Sequence, residues 1–198
     1  MNTDDTQTSR GRLLTAGKSL FSRLGYEQTA TSAIAREAGT SESQLVRYFG
    51  GKSGLLDAIF NESWRDLNDV VKQTIAASEH GREAILGVFS LMTAAFAQDP
   101  EVASLFMFEG RRLRGTEVAL SKGFQQFNDL VCGLIQRGQS DGSFRTDVND
   151  AALASAMMGA AEGMIRDRLI AVRAGKEAPF DVESIRKVFE GMVNGLVP

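Results

Sequence analysis

The apolar positions at the start of the chain recur at helical spacing. Leu13, Gly17, Leu20 and Leu24 form one stripe, widened by Leu14 and Phe21. They predict a helix from about Ser9 to Leu24, ended by Gly25. Thr31 is suited to cap a short helix carrying Ile34, Ala35 and Ala38, which Gly39 then breaks. Ser41 opens another short helix, with Gln44 at the reciprocal capping position. Along it Leu45 and Phe49 point inward, whereas Ser43, Gln44, Arg47 and Tyr48 point outward. Gly50 and Gly51 supply a turn. Lys52 begins a long helix to about Ser78 along Leu56, Ile59, Phe60, Ser63, Leu67, Val70, Val71 and Ile75.

Caps mark the remaining helices. Gly81 precedes a helix to about Gln98, and Asp99-Pro100-Glu101 opens one to about Arg114. Thr116 can cap the next, which carries Phe124, Phe127, Val131 and Leu134 and stops near Gly138 to Gly142. Asp147 or Asn149 starts a long helix to Ala174, with Gly175 as its stop, and Pro179 and Asp181 start the last. No sustained alternation of β-branched and polar residues predicts strands. The expected fold is all-α, with about nine helices. It divides into a mobile tail over 1–8, a three-helix unit over 9–51 and a larger helical unit over 52–198, joined through the long helix.

Composition narrows the function. The 198 residues are 43% hydrophobic and 24% charged, an ordinary globular balance. The single cysteine, Cys132, excludes an intrachain disulfide and a multi-thiolate metal site. The N-terminus MNTDDTQTSRGR lacks the apolar centre of a signal peptide, and no apolar run is long enough to span a bilayer, so a cytoplasmic protein without membrane contact is expected. The lone histidine, His80, lies in a Ser-Glu-His-Gly stretch without a catalytic partner at recognisable spacing. No phosphate-cradling glycine loop or metal-ligand spacing occurs, which argues against an enzyme and predicts no cofactor and no metal.

The net charge of −3 is unevenly distributed. Residues 8–55 hold seven positive and three negative side chains, net +4, and the rest of the chain is net −7. A basic head on an acidic body suits a protein that meets phosphate with one end. A short second helix anchored from below, with a polar outer face, is what reading the major groove requires. Double-stranded DNA is therefore the expected macromolecular partner.

The order Leu20-Phe21, Gly25-Tyr26, Thr29, Ile34-Ala35, Ala38-Gly39, Ser41, Leu45, Arg47-Tyr48-Phe49, Lys52 and Leu55-Leu56 resembles the N-terminal signature of the TetR family of bacterial transcriptional regulators. The resemblance spans Arg12 to Leu56. Beyond it, the chain is similar to the family only in length and helix count. It implies a helix-turn-helix DNA-binding domain over 9–51 and a ligand-binding and dimerisation domain over 52–198. It also implies a homodimer on a palindromic operator, usually a repressor released by a small effector.

The family motif implies DNA contacts at Thr31, Ser32, Ser43, Gln44, Val46, Arg47, Tyr48 and Lys52. Thr31 and Ser32 suit phosphate or a base edge at a helix N-terminus. Gln44 suits either the capping box with Ser41 or the N6 and N7 edge of adenine. The latter would give about 1–3 kcal/mol of discrimination. Arg47 suits guanine, a phosphate, or a solvated ion pair with Glu42 or a contact to Ser43. Tyr48 can pack its ring and point its hydroxyl at phosphate. Lys52 is placed beside a phosphate at the start of the long helix. Two departures stand out: Val46 replaces a common tyrosine, and Gly51-Lys52-Ser53-Gly54 replaces a serine-lysine-acid run.

The body is rich in Phe and Met. Trp64, Phe89, Met92, Phe96, Phe106, Phe124, Phe127 and Met157 are candidates for an adaptable apolar effector pocket, or else plain core. Glu109, Arg111, Arg112, Glu162 and Arg166 are possible polar contacts or ordinary solvated residues. Ala152, Ala156, Gly159 and Gly163 form a small-residue face, and Ile185, Val188, Phe189 and Met192 an apolar stripe. Both suit a dimer bundle or packing within one chain. The expected function is a ligand-responsive transcriptional regulator. The alternative is a helical ligand-binding or scaffold protein of this fold without specific DNA binding.

Overall fold

Caps and glycine stops divide the chain into nine helices among the described residues. The computed structural model describes residues 8–110, 113–114, 117–118 and 122–197. In chain order these helices are α1 (Ser9–Leu24), α2 (Thr31–Glu37), α3 (Glu42–Phe49), α4 (Lys52–Ala77) and α5 (Gly81–Gln98), then α6 (Pro100–Glu109), α7 (Lys122–Ser140), α8 (Asp150–Arg173) and α9 (Val182–Asn194). Side-chain oxygens of Thr8, Ser41, Asp99, Asn149 and Asp181 accept the free backbone N–H groups of α1, α3, α6, α8 and α9. Of the two caps open for α8, Asn149 is the one used, while Asp147 pairs with Arg145.

Several expectations are corrected. Thr31 is the first residue of α2 rather than its cap. Ala30 holds the cap position and has no side chain able to do the job. α6 ends at Glu109 instead of near Arg114, because Gly110 is a poor helix continuer. Beyond it β1 (Leu113–Arg114) and β2 (Glu117–Val118) form a two-residue antiparallel ladder, with Leu113 opposite Val118, in an otherwise all-α fold. Residues 1–7 of the expected tail, Arg111, Arg112 and the Thr116 cap lie outside the described residues. Leu24 and Val70, both on predicted apolar stripes, are exposed.

The chain clusters into two units, Met1–Arg65 with Asp99–Lys122, and Asp66–Gln98 with Gly123–Pro198. In the first, α1 packs against α2, α3 and α6 over Leu13, Leu20, Phe21, Ile34 and Leu45. Each such side chain contributes about 1.5–3 kcal/mol by leaving water. Trp64 stacks on Phe106 with ring centroids 4.4 Å apart, and Phe60 packs beside Phe106. Polar ties fix both ends of α6. Lys18 Nζ donates to Asp99 Oδ2 over 2.7 Å, and the Tyr26 N–H donates to Glu109 Oε1 over 3.1 Å.

In the second unit α9 packs against α5 and α8. Ile185, Phe189 and Val193, one helical turn apart, face inward, and Phe189 stacks on Phe89 at 3.7 Å between centroids. Ile185 and Phe189 therefore belong to the chain's own core rather than to an outward stripe. Val188, beside that stripe, is exposed and Met192 is half-buried. One polar side chain interrupts this interior: Asn68 of α4 is 1% exposed.

Asp99 does two jobs, capping α6 through Val102 N–H and pairing with Lys18. Burial pushes its carboxyl up, but the Lys18 ammonium and the backbone N–H groups of Val102 and Glu101 outweigh that and hold it below its usual value. Asp99→Ala is expected to cost about 1–2 kcal/mol, as loss of a helix cap does, read as a lower urea midpoint. A folded value below the unfolded one means the carboxylate's contribution is present above the unfolded value. It is lost as pH falls through the folded one. The advantage of wild type over Asp99→Asn should therefore vanish in acid and be full at neutral pH, checked by urea titrations along a pH series.

Candidate nucleic-acid interface

The interface grows from one buried leucine. Leu45 is fully buried, which fixes α3 on the first unit and turns the opposite face outward. Ser41 caps the helix by accepting the Gln44 backbone N–H over 3.3 Å. Gly50, with φ of 72°, closes it in the left-handed region that glycine enters without strain. On the outward face Ser43 and Arg47 are exposed, Val46 is 56% exposed and Tyr48 40%. Ser32 of α2 is exposed and Thr31 half-buried.

The polar groups of this face satisfy one another. Arg47 donates from Nη2 to Gln44 Oε1 at 2.7 Å and to the Tyr48 hydroxyl at 3.2 Å. Its guanidinium also lies 5.0 Å from the Tyr48 ring centroid. Gln44 thus does not complete the capping box: only Ser41's half is made, and the glutamine oxygen serves Arg47. Reading adenine would need that oxygen back, because the bidentate pair uses the amide oxygen and nitrogen together. A guanine contact by Arg47 could instead keep Gln44 as its brace. Arg47 is not paired with Glu42. That carboxylate accepts the Thr31 hydroxyl over 2.5 Å and joins the starts of α2 and α3.

Lys52 departs furthest from expectation. Its ammonium donates to the carbonyl oxygens of Tyr26 at 3.0 Å, Thr29 at 3.0 Å and Glu27 at 3.4 Å, and it lies 4.4 Å from the Tyr26 ring centroid. The lysine collects the carbonyls of the connection between α1 and α2, and so holds the start of α2. Thr29, 1% exposed, finishes that connection by donating its hydroxyl to Gly25 O over 2.7 Å. The unusual Gly54 has a local reason: a Cβ there would sit 1.8 Å from the Phe49 carbonyl oxygen, so glycine lets α4 begin hard against the end of α3.

Sequence reasoning missed Glu42, Tyr26, Glu109 and Arg12 as organising residues. Arg12 Nε donates to Ala38 O over 2.9 Å and fastens the end of α2 to α1. These partners lie 26 to 83 positions apart along the chain, apart from Thr31 and Glu42 at 11, so no local pattern announces them.

The other candidate sets divide. Trp64 and Phe106 lie in the first unit, whereas Phe89, Met92, Phe96, Phe124, Phe127 and Met157 lie in the second. All are buried except Phe124, which is half-buried. Of the proposed dimer residues, Ala152, Ala156, Gly159 and Val188 are exposed and Gly163 and Met192 half-buried. Among the described residues no cluster of His, Cys, Asp and Glu is fit to hold a metal ion, and no helix is long and apolar enough to cross a membrane.

A helix-turn-helix head with a polar outer face defines a DNA-binding regulator. Residues 13–59 match the family model "Bacterial regulatory proteins, tetR family". It is 26% identical over 151 residues to the HTH-type transcriptional repressor KstR2 of Rhodococcus jostii, covering 74% of each chain. It is 23% identical over 189 residues to the HTH-type transcriptional regulator UidR of Escherichia coli K12, covering 96% of this chain and 95% of that one. The crystal structure of the transcriptional regulator FadR from Bacillus subtilis in complex with stearoyl-CoA shares the fold. It has a TM-score of 0.81 and 16% identity, and the alignment covers 92% of this chain and 96% of that one. The family is one of regulators, not enzymes.

Lys52→Ala is expected to release the connection between α1 and α2 and so weaken binding to every DNA sequence by a similar factor. Lys52→Arg should not restore it, since a planar guanidinium does not gather three converging carbonyls as an ammonium does. Gel-shift titrations on specific and random duplexes check this; a loss confined to one sequence would contradict it.

Proposed function

We propose that the chain is a ligand-responsive transcriptional regulator that acts as a homodimer on a palindromic operator, most simply as a repressor released by a small, largely apolar effector. The observation that carries this reading is the outward face of α3, where Ser43, Val46, Arg47 and Tyr48 stand exposed over the buried Leu45. Such a face offers donors to guanine and phosphate and, at Val46, a methyl surface for thymine. Lys52 and the first turn of α4 add backbone N–H groups for a phosphate.

A homodimer suits such an operator, since two α3 helices would have to reach successive major grooves about 34–36 Å apart. The exposed small residues Ala152, Ala156 and Gly159 of α8 and Val188 of α9 are suited to a four-helix interface with the partner. The effector would bind in the Phe- and Met-rich interior of 52–198, as the domain that senses ligand and dimerises, while 9–51 reads DNA and 1–8 is a tail. The Bacillus subtilis FadR structure in complex with stearoyl-CoA supports a ligand with a long apolar chain for this fold. α4 runs without a break from Lys52 into the second unit, so it is the continuous element along which an effector can bias the head. A coupling of about 1–3 kcal/mol would lower operator affinity several-fold to about a hundredfold.

The rival, a protein of this fold that no longer reads DNA, is disfavoured by the intact outward set of Arg47 and Tyr48. Operator variants selected from random DNA and titrated with Gln44→Ala and Arg47→Ala test the choice. Each substitution should cost about 1–3 kcal/mol and relax preference at one position per half-site. An equal loss on every variant would remove that residue as a reader, and failure of wild type to select any sequence would favour the rival.

A further inference from the structure

We infer that Asn68 is the polar contact of the effector site, and that the effector presents a hydrogen-bond donor, a hydroxyl or an amide N–H, on an apolar frame. This rests on the effector reading above and gives it a chemical class. Among the described residues of the second unit Asn68 is the only buried polar side chain, at 1% exposure. Its orientation is fixed: Nδ2 donates to Gly123 O of α7 over 2.9 Å. Exchanging the amide's nitrogen and oxygen would set two oxygens against each other, so Oδ1 must point away from Gly123. There it has no solvent contact and no partner among the described residues.

An amide oxygen kept dry and unpaired opposes folding, and natural interiors rarely tolerate one without a reason. The other buried polar atom without a partner among the described residues is Arg82 Nε, a donor whose guanidinium is tied to Asn194 of α9, so Asn68 Oδ1 is the unpaired acceptor. Val71, one turn along α4, is fully buried, and so nearly are Phe89 and Met92 of α5 and Phe127 of α7. A leucine at position 68 would satisfy the helix stripe with less penalty. Asparagine there is an acceptor waiting for a donor. An acceptor rejects carboxylates, ethers and ketone oxygens at that point and selects a hydroxyl or N–H. The apolar residues of the unit would hold the rest of the molecule.

Matched probe pairs on the full-length protein test this: decanol against decyl methyl ether, and naphthol against methoxynaphthalene, each measured by titration calorimetry. Wild type should bind a hydroxyl member about tenfold more tightly than its ether, the worth of one hydrogen bond in a dry site. Asn68→Leu should keep or raise the thermal midpoint while losing that preference. Asn68→Ala provides the same readout should the leucine variant not fold. Equal affinity of wild type for both members would overturn the Asn68 assignment and leave the effector reading standing, as would a preference that survives in both variants. Saturable binding by none of the probes would overturn the assignment and count against an apolar effector site, while selective operator binding in the same preparation would separately uphold the DNA reading.

Discussion

The Lys52 ammonium is the point on which the head depends. Tetrahedral and compact, it reaches the Tyr26, Glu27 and Thr29 carbonyls that would otherwise face each other with like partial charge. The backbone N–H of the same residue, Tyr26, donates to Glu109 at the end of α6. The two peptides that flank Tyr26 are thus held, one by Glu109 at the end of α6 through its N–H and the other by Lys52 of α4 through its carbonyl oxygen. α2 starts from that connection, and Thr31 and Glu42 carry its position on to α3. The exposed reading face is consequently placed by a chain of polar contacts laid over the apolar core of Leu13, Phe21, Ile34 and Leu45.

This arrangement changes the meaning of a charged residue at the start of a helix. Lys52 need not lend its charge to a phosphate to matter for DNA. Its contribution in the structure is the shape of the connection between α1 and α2, from which the proposed DNA-reading elements start. Gly54 belongs to the same design, since it lets the first turn of α4 sit against the carbonyl of Phe49. On α3, Arg47 rests between Gln44 and Tyr48, so the proposed DNA binding would exchange internal hydrogen bonds for bonds to bases and phosphates. Any net gain would then come from geometry and counterion release rather than from filling idle groups.

Most of the fold was legible because its signals are local. Stripes at helical spacing and caps such as Asp99, Asn149 and Asp181 lie within a few residues of what they determine, and the helices they mark are present. The α3 face was legible for the same reason, since Leu45 inward fixes Arg47 and Tyr48 outward. Contacts between distant segments were not. Nothing near Lys52 indicates that its ammonium turns back to the Tyr26 connection. Gln44 and Arg47 are one turn apart, yet the pattern left the glutamine oxygen open between the Ser41 cap and a base. Ile185 and Phe189 looked equally fit for a partner or for the core, because a stripe declares an apolar face without naming what covers it; Phe89 covers it here. Asn68 escaped notice because a lone polar residue beside an apolar stripe reads as solvated until its burial is known.

The central claim is that the α3 faces of two copies read DNA together. Footprinting of the purified protein on fragments of the genome that encodes it tests this most directly. The account predicts protection of an inverted repeat whose half-site centres lie about one helical turn apart, about 34–36 Å, with protection weakening steeply as salt rises. Protection of a single unrepeated site, or uniform weak coverage that follows salt but no sequence, would contradict it.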